Sequence, residues 1–177
     1  MRVAVLGVGS IGGVILGALS DTDTDLVAVS RGQSASNLEM IGLILHTPEG
    51  TIEMIPPDRF SVIDSQSGPI PEHIRNTCDI AIICGKAPST SVLAQIAEEI
   101  LTPIGLAISL QNGLGHSEIL AHRLGRQRTL GGAITHGAWK DAESGVHWVG
   151  RGNIQMGSLD EGEIPELAKE LLQVFEY

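Results

Sequence analysis

The chain begins with an apolar segment, Val3–Leu6, that runs directly into three glycines spaced as Gly7-x-Gly9-x-x-Gly12. A short continuous apolar segment of this kind is typical of a strand that is buried on both faces of a sheet. From Ile11 onward the apolar residues recur at helical spacing. A strand, a glycine turn and a helix in this order predict a site for the pyrophosphate of a dinucleotide. The alternative is an ordinary strand–helix turn, because glycine-rich turns are common.

Each of the three glycines has a distinct predicted role. Gly7 permits the tight turn, and Gly12 lets the helix pack close to the strand. Gly9 lets the backbone approach the pyrophosphate, because a Cβ atom there would occupy the place of the phosphate. The unpaired N–H groups at the start of the helix, together with its dipole, are then expected to face the anion.

The order of the following segments predicts an α/β fold with a doubly wound, mostly parallel sheet. Apolar strands alternate with amphipathic helices, and strands of this apolar character are buried on both faces. These segments are the strands Leu26–Ser30, Asp79–Lys86 and Gly105–Asn112 and the helices Thr90–Leu101 and Ser117–Leu124. Smaller elements are also predicted. Ser34 or Ser36 could cap a short helix that ends near Met40, and Leu43–Thr47 should pair with Thr51–Ile55 as a hairpin. Phe60–Ile63 is predicted to be a short strand, and Pro71–Asn76 to form at most two helical turns.

The pattern changes after Gly125, where short segments are separated by polar or glycine turns. Three of these segments predict antiparallel strands that close one edge of the sheet: Thr129–Trp139, Gly145–Val149 and Asn153–Gly157. His136 falls inside the first of them, so hydrogen bonding within the sheet is preferred to a role as catalytic base. Pro165–Phe175 predicts a final helix with a proline at its start.

The composition restricts the class of protein. The 177 residues suit one domain of ordinary size. The net charge of −10 argues against a nucleic-acid partner, because such binding depends on cationic contacts to phosphates. No apolar segment reaches the roughly 18 residues that span a bilayer, and no signal peptide is recognisable. No membrane partner and a cytoplasmic location are therefore expected.

The sequence predicts no metal site. The six histidines are scattered, and Cys78 and Cys84 lack the spacing and the further ligands of a zinc site. Both cysteines are expected to be ordinary buried or half-buried thiols. Trp139 and Trp148 are expected to pack against the protein rather than to stack on a ligand.

Arg31 directly follows the second predicted strand. In folds that prefer NAD, an Asp or Glu near this point bonds the ribose hydroxyls. A guanidinium instead pairs with a 2′-phosphate through charge-assisted hydrogen bonds, whereas a carboxylate would repel it. Arg31 therefore favours NADP(H), and the alternative is a solvated surface arginine.

Lys86 and Asn112 end two strands that are expected to be neighbours. Ligands of doubly wound sheets bind beyond the carboxyl ends of the strands. A lysine there can meet an anion, and an amide offers both a donor and an acceptor. The alternatives are a lysine that leaves a buried strand for water and an ordinary Asn-Gly turn.

Taken together, these motifs closely resemble the N-terminal domain of the ketopantoate reductase (2-dehydropantoate 2-reductase) family. The resemblance extends from about residue 1 to 175 and is specific, because several separate motifs occur in family order. The motifs are Gly7-x-Gly9-x-x-Gly12-Gly13, Ser30-Arg31-Gly32, Lys86, Ser109-Leu-Gln-Asn-Gly-Leu-Gly115, Gly131-Gly-Ala-Ile-Thr-His-Gly-Ala138 and Gly152-Asn-Ile-Gln-Met-Gly157.

The resemblance implies NADPH-dependent reduction of 2-dehydropantoate, a 2-oxo acid, to pantoate on the way to pantothenate and coenzyme A. Lys86 and Asn112 match the catalytic positions beside the nicotinamide and the substrate. Arg31 would hold the 2′-phosphate, and the backbone at Ala138 would lie against the coenzyme. The residues that would hold the pyrophosphate are Gly7, Val8, Gly9, Ser10, Ile11 and Gly12.

The resemblance implies an all-helical second domain that carries the lysine acting as general acid, and we expect the present sequence to lack it. We therefore expect a Rossmann domain at 1–160 and a linker with the start of a helical domain at 161–177. The apolar side of Pro165–Phe175 is expected to lack its cover, which favours a helical partner domain or a homo-oligomer. The alternatives are a non-catalytic NADP-binding module or pseudoenzyme and a reductase of a related 2-oxo acid.

Overall fold

The opening segment forms an inner strand of the larger of two sheets, between β6 and β2. The computed structural model describes residues 1–141 and 145–175. In chain order the strands are β1 (Arg2–Leu6), β2 (Asp25–Ser30), β3 (Leu43–His46), β4 (Ile52–Ile55), β5 (Phe60–Asp64), β6 (Cys78–Ile83), β7 (Leu101–Ser109), β8 (Thr129–Ile134), β9 (Gly137–Lys140), β10 (Val146–Gly150) and β11 (Ile154–Ser158). The α-helices are α1 (Ser10–Ser20), α2 (Gln33–Met40), α3 (Thr90–Ile100), α4 (His116–Leu124) and α5 (Glu166–Val174).

The larger sheet has the strand order β11-β8-β7-β6-β1-β2-β5. Its strands pair in parallel from β5 to β8, and β11 joins β8 antiparallel. The predicted doubly wound sheet with an antiparallel C-terminal edge is confirmed. In β1, Val3 and Val5 belong to the core cluster that includes α1, whereas Ala4 and Leu6 belong to the cluster that includes α3. A strand buried on both faces explains the continuous apolar segment.

A second sheet corrects the prediction for the C-terminal half. Its order is β4-β3-β10-β9, so the predicted hairpin, the predicted strand Gly145–Val149 and the end of Thr129–Trp139 form a separate layer. The first part of Thr129–Trp139 is β8, which pairs with β7 in parallel rather than antiparallel. The reason for the separate layer lies in α1, which is apolar on nearly all sides and needs cover on two faces. A Cβ atom at Gly13 would lie 2.6 Å from Val146, and one at Gly17 would lie 2.6 Å from Leu45. The two glycines therefore let α1 pack closely against the second sheet.

Several predicted boundaries are wrong in detail. The strands β6 and β7 end at Ile83 and Ser109, so Lys86 and Asn112 lie in the following loops. β7 begins at Leu101, so Pro103 lies inside this strand. The register of the pairing between β6 and β7 shifts between Cys78 and Ile80, and this shift accommodates the additional residues of β7. The helix α2 begins after Gly32 without a side-chain cap from Ser34 or Ser36, and residues 71–76 form turns rather than a helix.

The final helix lies against the domain. Ala168 and Leu171 in α5 are fully buried, and Leu167 and Phe175 pack against the same core cluster. The expectation of an uncovered apolar side on this helix is therefore wrong, because these residues complete the core of the described chain. None of the helices in residues 1–141 and 145–175 combines the length and the apolar character needed to cross a bilayer.

Candidate functional site

The glycine turn between β1 and α1 is shaped by a close backbone contact. Gly7 has a φ of +89°, a region that side chains rarely adopt. A Cβ atom there would also lie 2.5 Å from both N and Cα of Gly85, in the loop after β6. The N–H group of Gly7 donates to the carbonyl oxygen of Val29 at 2.8 Å. The first turn is therefore joined to the ends of β2 and β6.

Gly9 and Gly12 are glycine for different reasons. A Cβ atom at Gly12 would lie 2.3 Å from the carbonyl oxygen of Gly7, so only glycine lets α1 begin this close to the turn. A Cβ atom at Gly9 would meet nothing within 4 Å. Packing within the described chain thus accounts for Gly12 but not for Gly9. The open space beside Gly9 fits the predicted approach of a phosphate group.

The start of α1 presents unused donors beside this open space. The helix has no side-chain cap, and Gly13 donates to the carbonyl oxygen of Gly9 at 2.9 Å. Within residues 1–141 and 145–175, the N–H groups of Ser10, Ile11 and Gly12 have no protein acceptor. These donors and the helix dipole favour an anion at this position.

The loop that carries Arg31 is fixed by a carboxylate that sequence reasoning missed. Arg31 is exposed immediately after β2, as predicted. Asp64, at the end of the neighbouring strand β5, accepts hydrogen bonds from Ser67 Oγ at 2.6 Å, Gln66 N at 3.0 Å and Gly32 N at 3.0 Å. These bonds, led by that from Ser67, lower the pKa of Asp64. The sequence feature that could have indicated this role is the position of Asp64 at the carboxyl end of an apolar strand.

Lys86 and Asn112 are exposed in loops that follow adjacent strands. Lys86 precedes a short 3₁₀ turn at Ala87–Ser89, and Asn112 lies three residues beyond β7. The pairing of β6 with β7 places both loops at the same edge of the sheet, which is the arrangement that the sequence predicts.

A buried polar network joins these two loops. Gln111 Nε2 donates to the carbonyl oxygen of Gly85 at 2.6 Å and to Thr90 Oγ1 at 2.9 Å. The Thr90 hydroxyl lies 3.2 Å from His116 Nδ1, and His116 Nε2 lies 3.1 Å from the carbonyl oxygen of Asn112. Because a carbonyl only accepts, His116 Nε2 carries a hydrogen. The network therefore fixes the backbone immediately before Lys86 and at Asn112.

Sequence reasoning assigned no role to Gln111 and Thr90. Thr90 is fully buried, and Gln111 and His116 are nearly so. The role of Gln111 could have been predicted from its position directly after a buried apolar strand, because a buried amide needs hydrogen-bond partners. The contact of His116 Nε2 with the carbonyl oxygen of Asn112 is one that the sequence did not indicate.

Ala138 and His136 lie near the start of the second sheet. Ala138 is half-buried in β9, a strand that contacts α1, and it pairs with Trp148 in β10.

His136 lies between β8 and β9, which corrects the prediction that it is part of a strand. Its Nδ1 accepts from Gly152 N at 3.0 Å and from Trp148 Nε1 at 3.2 Å. Burial lowers the pKa of His136, which favours the neutral ring.

Cys78 is buried and Cys84 is half-buried, and both are free thiols. Burial raises the pKa of Cys78 to about 11 and that of Cys84 to about 12. Thiols with such pKa values remain protonated near neutral pH and are poor nucleophiles and metal ligands. Cys84 lies under the glycine turn, where its Cβ atom would be 3.4 Å from a Cβ atom at Gly12. Its role is packing.

The sequence and the fold both match known proteins over nearly the whole chain. A family profile described as ketopantoate reductase PanE/ApbA matches residues 3–161. A 2-dehydropantoate 2-reductase of Pyrococcus horikoshii is 28% identical over 175 residues, which cover 99% of this chain and 53% of that protein. The chain therefore spans about half the length of this curated relative.

Two solved structures have the same fold. A 2-dehydropantoate 2-reductase from Geobacter metallireducens is 22% identical, with a TM-score of 0.82, and the match covers 99% of this chain and 55% of that one. A D-mandelate dehydrogenase solved with NADH and anilino(oxo)acetate is 17% identical, with a TM-score of 0.84, and the match covers 99% of this chain and 55% of that one. At these identities the structures establish the fold alone. The family profile, however, covers most of the chain, and the chain belongs to the ketopantoate reductase family of oxidoreductases.

Proposed function

We propose that this chain is the coenzyme-binding half of an NADPH-dependent reductase that converts 2-dehydropantoate to pantoate. The proposal depends most on the start of α1, where three N–H groups with no acceptor among the described residues lie beside the open space at Gly9. Relatives about twice as long support a further domain that completes the substrate cleft. We propose residues 1–160 as the Rossmann domain and 161–177 as the connection to that helical domain. With two free cysteines and no disulfide among the described residues, we propose a reducing, cytoplasmic location.

The coenzyme NADP(H) would supply the hydride, and this chain would hold it by its phosphates. The turn residues from Gly7 to Gly12 would bind the pyrophosphate through backbone donors, and the backbone at Ala138 would lie against the coenzyme. Arg31 is exposed at the carboxyl end of β2, where its guanidinium can reach a 2′-phosphate. Asp64 holds the loop that carries Arg31, because its carboxylate accepts a hydrogen bond from Gly32 N at 3.0 Å.

Lys86 and Asn112 would act on the substrate side of the nicotinamide. Reduction of a ketone places negative charge on the carbonyl oxygen, which requires a positive group or a proton donor there. Lys86 would stabilise this charge, and the Asn112 amide would orient the 2-oxo acid or the nicotinamide. The general acid would come from the helical domain, as the family resemblance implies.

An enzymatic assay tests the reaction. The measurement is the oxidation of NADPH by 2-dehydropantoate, catalysed by this chain joined to the C-terminal half of the Pyrococcus horikoshii relative. We expect turnover that is lost in the Lys86→Ala variant of the same chimera and retained in His122→Ala, an exposed position on α4. A chimera that binds NADPH but reduces no 2-oxo acid would instead favour a non-catalytic module.

A second candidate is a reductase of another 2-oxo acid that uses NADH. It is favoured by the likeness to D-mandelate dehydrogenase, which was solved with NADH and is matched as closely as the 2-dehydropantoate 2-reductases. Phenylglyoxylate assayed beside 2-dehydropantoate, each with both coenzymes, separates the two candidates. The proposed function predicts that 2-dehydropantoate with NADPH has the highest kcat/KM.

The choice of coenzyme has its own test at Arg31. Because the guanidinium would contact only the phosphorylated ribose, Arg31→Ala should weaken NADPH binding at least about tenfold, equivalent to about 1.4 kcal/mol, and change NADH binding less than about twofold. Calorimetric titration of both coenzymes measures this difference. Arg123→Ala, on the surface of α4, is the matched control and should change neither affinity. Equal losses for NADPH and NADH would remove the argument for the 2′-phosphate.

A further inference from the structure

The second sheet carries a cluster of metal-ligating side chains that is separate from the proposed coenzyme site. The cluster consists of His46 in β3, His147 in β10 and Asp141 directly after β9. One ligand atom from each side chain lies within 4.8 Å of the other two. His46 and His147 are paired directly across the parallel strands β3 and β10. The fold thus joins residues that are about a hundred positions apart in the sequence.

These side chains lie on the outer face of the second sheet. Leu45 and Val146 contact the glycines of α1 and so face inward. Because neighbouring side chains in a strand point to opposite faces, His46 and His147 face outward. The side chains of His147 and Asp141 are 22% and 27% exposed. An ion from the solvent can therefore reach them without opening the core.

Both imidazole rings are held by stacking. The His147 ring stacks on the His46 ring at 4.0 Å and on the Trp139 ring at 3.9 Å, with interplanar angles of 9° and 5°. His147 therefore lies between two flat neighbours that restrict its rotation. Because an imidazole binds a metal ion in the plane of its own ring, at least one of the two stacked histidines must turn before both can bind the same ion.

Asp141 is held towards His147 by a hydrogen bond from the backbone of Gly145. Its Oδ2 lies 2.9 Å from His147 Nε2, and its Oδ1 accepts from Gly145 N at 2.7 Å. A Cβ atom at residue 145 would lie 2.6 Å from Asp141 Oδ2, so glycine at this position leaves room for the carboxylate.

We propose that His46, His147 and Asp141 form a binding site for a divalent transition-metal ion of the Zn²⁺ class. Two imidazoles and one carboxylate are a common donor set for Zn²⁺, and a fourth position would be left to water. Bonds of about 2.0–2.2 Å in a tetrahedral site separate the ligand atoms by roughly 3.3 Å. The His147–Asp141 distance then opens by a few tenths of an ångström, and His46 moves inward. Mg²⁺ prefers oxygen ligands and should not bind.

Calorimetric titration of the tag-free chain with ZnCl₂ and with MgCl₂ tests the site. We expect one Zn²⁺ per chain and no binding of Mg²⁺. His46→Ala and His147→Ala should each weaken Zn²⁺ binding at least about tenfold, since loss even of outer-sphere partners costs that much. Asp141→Asn, which retains the acceptor for Gly145 N, should also weaken it.

Matched variants distinguish this site from general surface binding. His73→Ala and His122→Ala remove exposed histidines elsewhere on the chain and should leave Zn²⁺ affinity unchanged. Circular dichroism checks that every variant is folded. Unchanged affinity in the His46 and His147 variants, or no Zn²⁺ binding by the original chain, would overturn the proposal.

A second readout does not depend on coenzyme or activity. Cu²⁺ quenches a nearby indole, and the stacking of Trp139 on His147 should make its fluorescence sensitive to Cu²⁺ at this site. We expect quenching at one equivalent of Cu²⁺ that is lost in His147→Ala and retained in His122→Ala. Equal quenching in all three proteins would contradict the assignment.

Discussion

At the scale of single residues, one sequence motif contains glycines that are required for different physical reasons. Gly7 and Gly12 are required by the fold, because side chains there would collide with the backbone of Gly85 and Gly7. Gly9 is not required by packing. The spacing of the motif predicts all three, but only the structure separates the folding role from the proposed binding role.

Substitution by alanine tests this separation. Gly12→Ala should lower the free energy of unfolding by about 1–3 kcal/mol, because the added methyl overpacks the turn. Gly9→Ala should change it by less than about 0.5 kcal/mol and yet weaken NADPH binding at least about tenfold, because its methyl projects into the proposed phosphate position. Urea unfolding and calorimetry measure the two effects. Full NADPH affinity in Gly9→Ala would contradict the proposed position of the pyrophosphate.

The carboxylate of Asp64 gives a prediction for pH. Its pKa is lowered in the folded protein by the hydrogen bonds from Ser67, Gln66 and Gly32. A group of this kind stabilises the fold fully above its unfolded pKa of about 3.9, and the contribution is lost as the pH falls through the lower, folded value. Asp64→Asn should therefore reduce stability near neutral pH and make it less dependent on pH below about pH 4. Urea unfolding across acidic pH measures this, and parallel curves for the two proteins would refute it.

At the scale of elements, the proposed site is built from loops that buried polar groups hold together. Gln111 and Thr90 connect the loop after β6 with the end of β7, and His116 connects the start of α4 to Asn112. The apolar strands were predictable because burial on two faces leaves a continuous pattern. These hydrogen bonds were not, since they depend on which loops meet in space.

The network gives a prediction at the same scale. Gln111→Leu should lower the free energy of unfolding by about 1–3 kcal/mol, because the carbonyl of Gly85 and the hydroxyl of Thr90 lose a buried donor. Gln33→Leu, on the exposed start of α2, is the control and should change it by less than about 0.5 kcal/mol. Urea unfolding compares the two variants. Similar losses in both would mean that the buried bonds contribute little.

At the scale of the whole molecule, the helix that begins at the proposed phosphate site lies between two sheets. The larger sheet follows from local patterns, because apolar strands alternating with helices predict parallel pairing. The second sheet does not, since β3 and β10 pair across about a hundred residues. The sequence predicts β3 only as part of a hairpin and β10 only as a strand at the edge of the larger sheet. The same long-range pairing creates the His46–His147 cluster, which no linear spacing indicates.

The central claim is that coenzyme phosphates bind at the start of α1. Amide NMR spectra recorded while the chain is titrated with NADPH test it most directly, because they report on individual N–H groups. We predict that the amide resonances of Ser10, Ile11 and Gly12 shift most, and that these shifts are lost in Gly9→Ala. Saturating NADPH that leaves these three resonances unmoved, or shifts another region instead, would contradict the account.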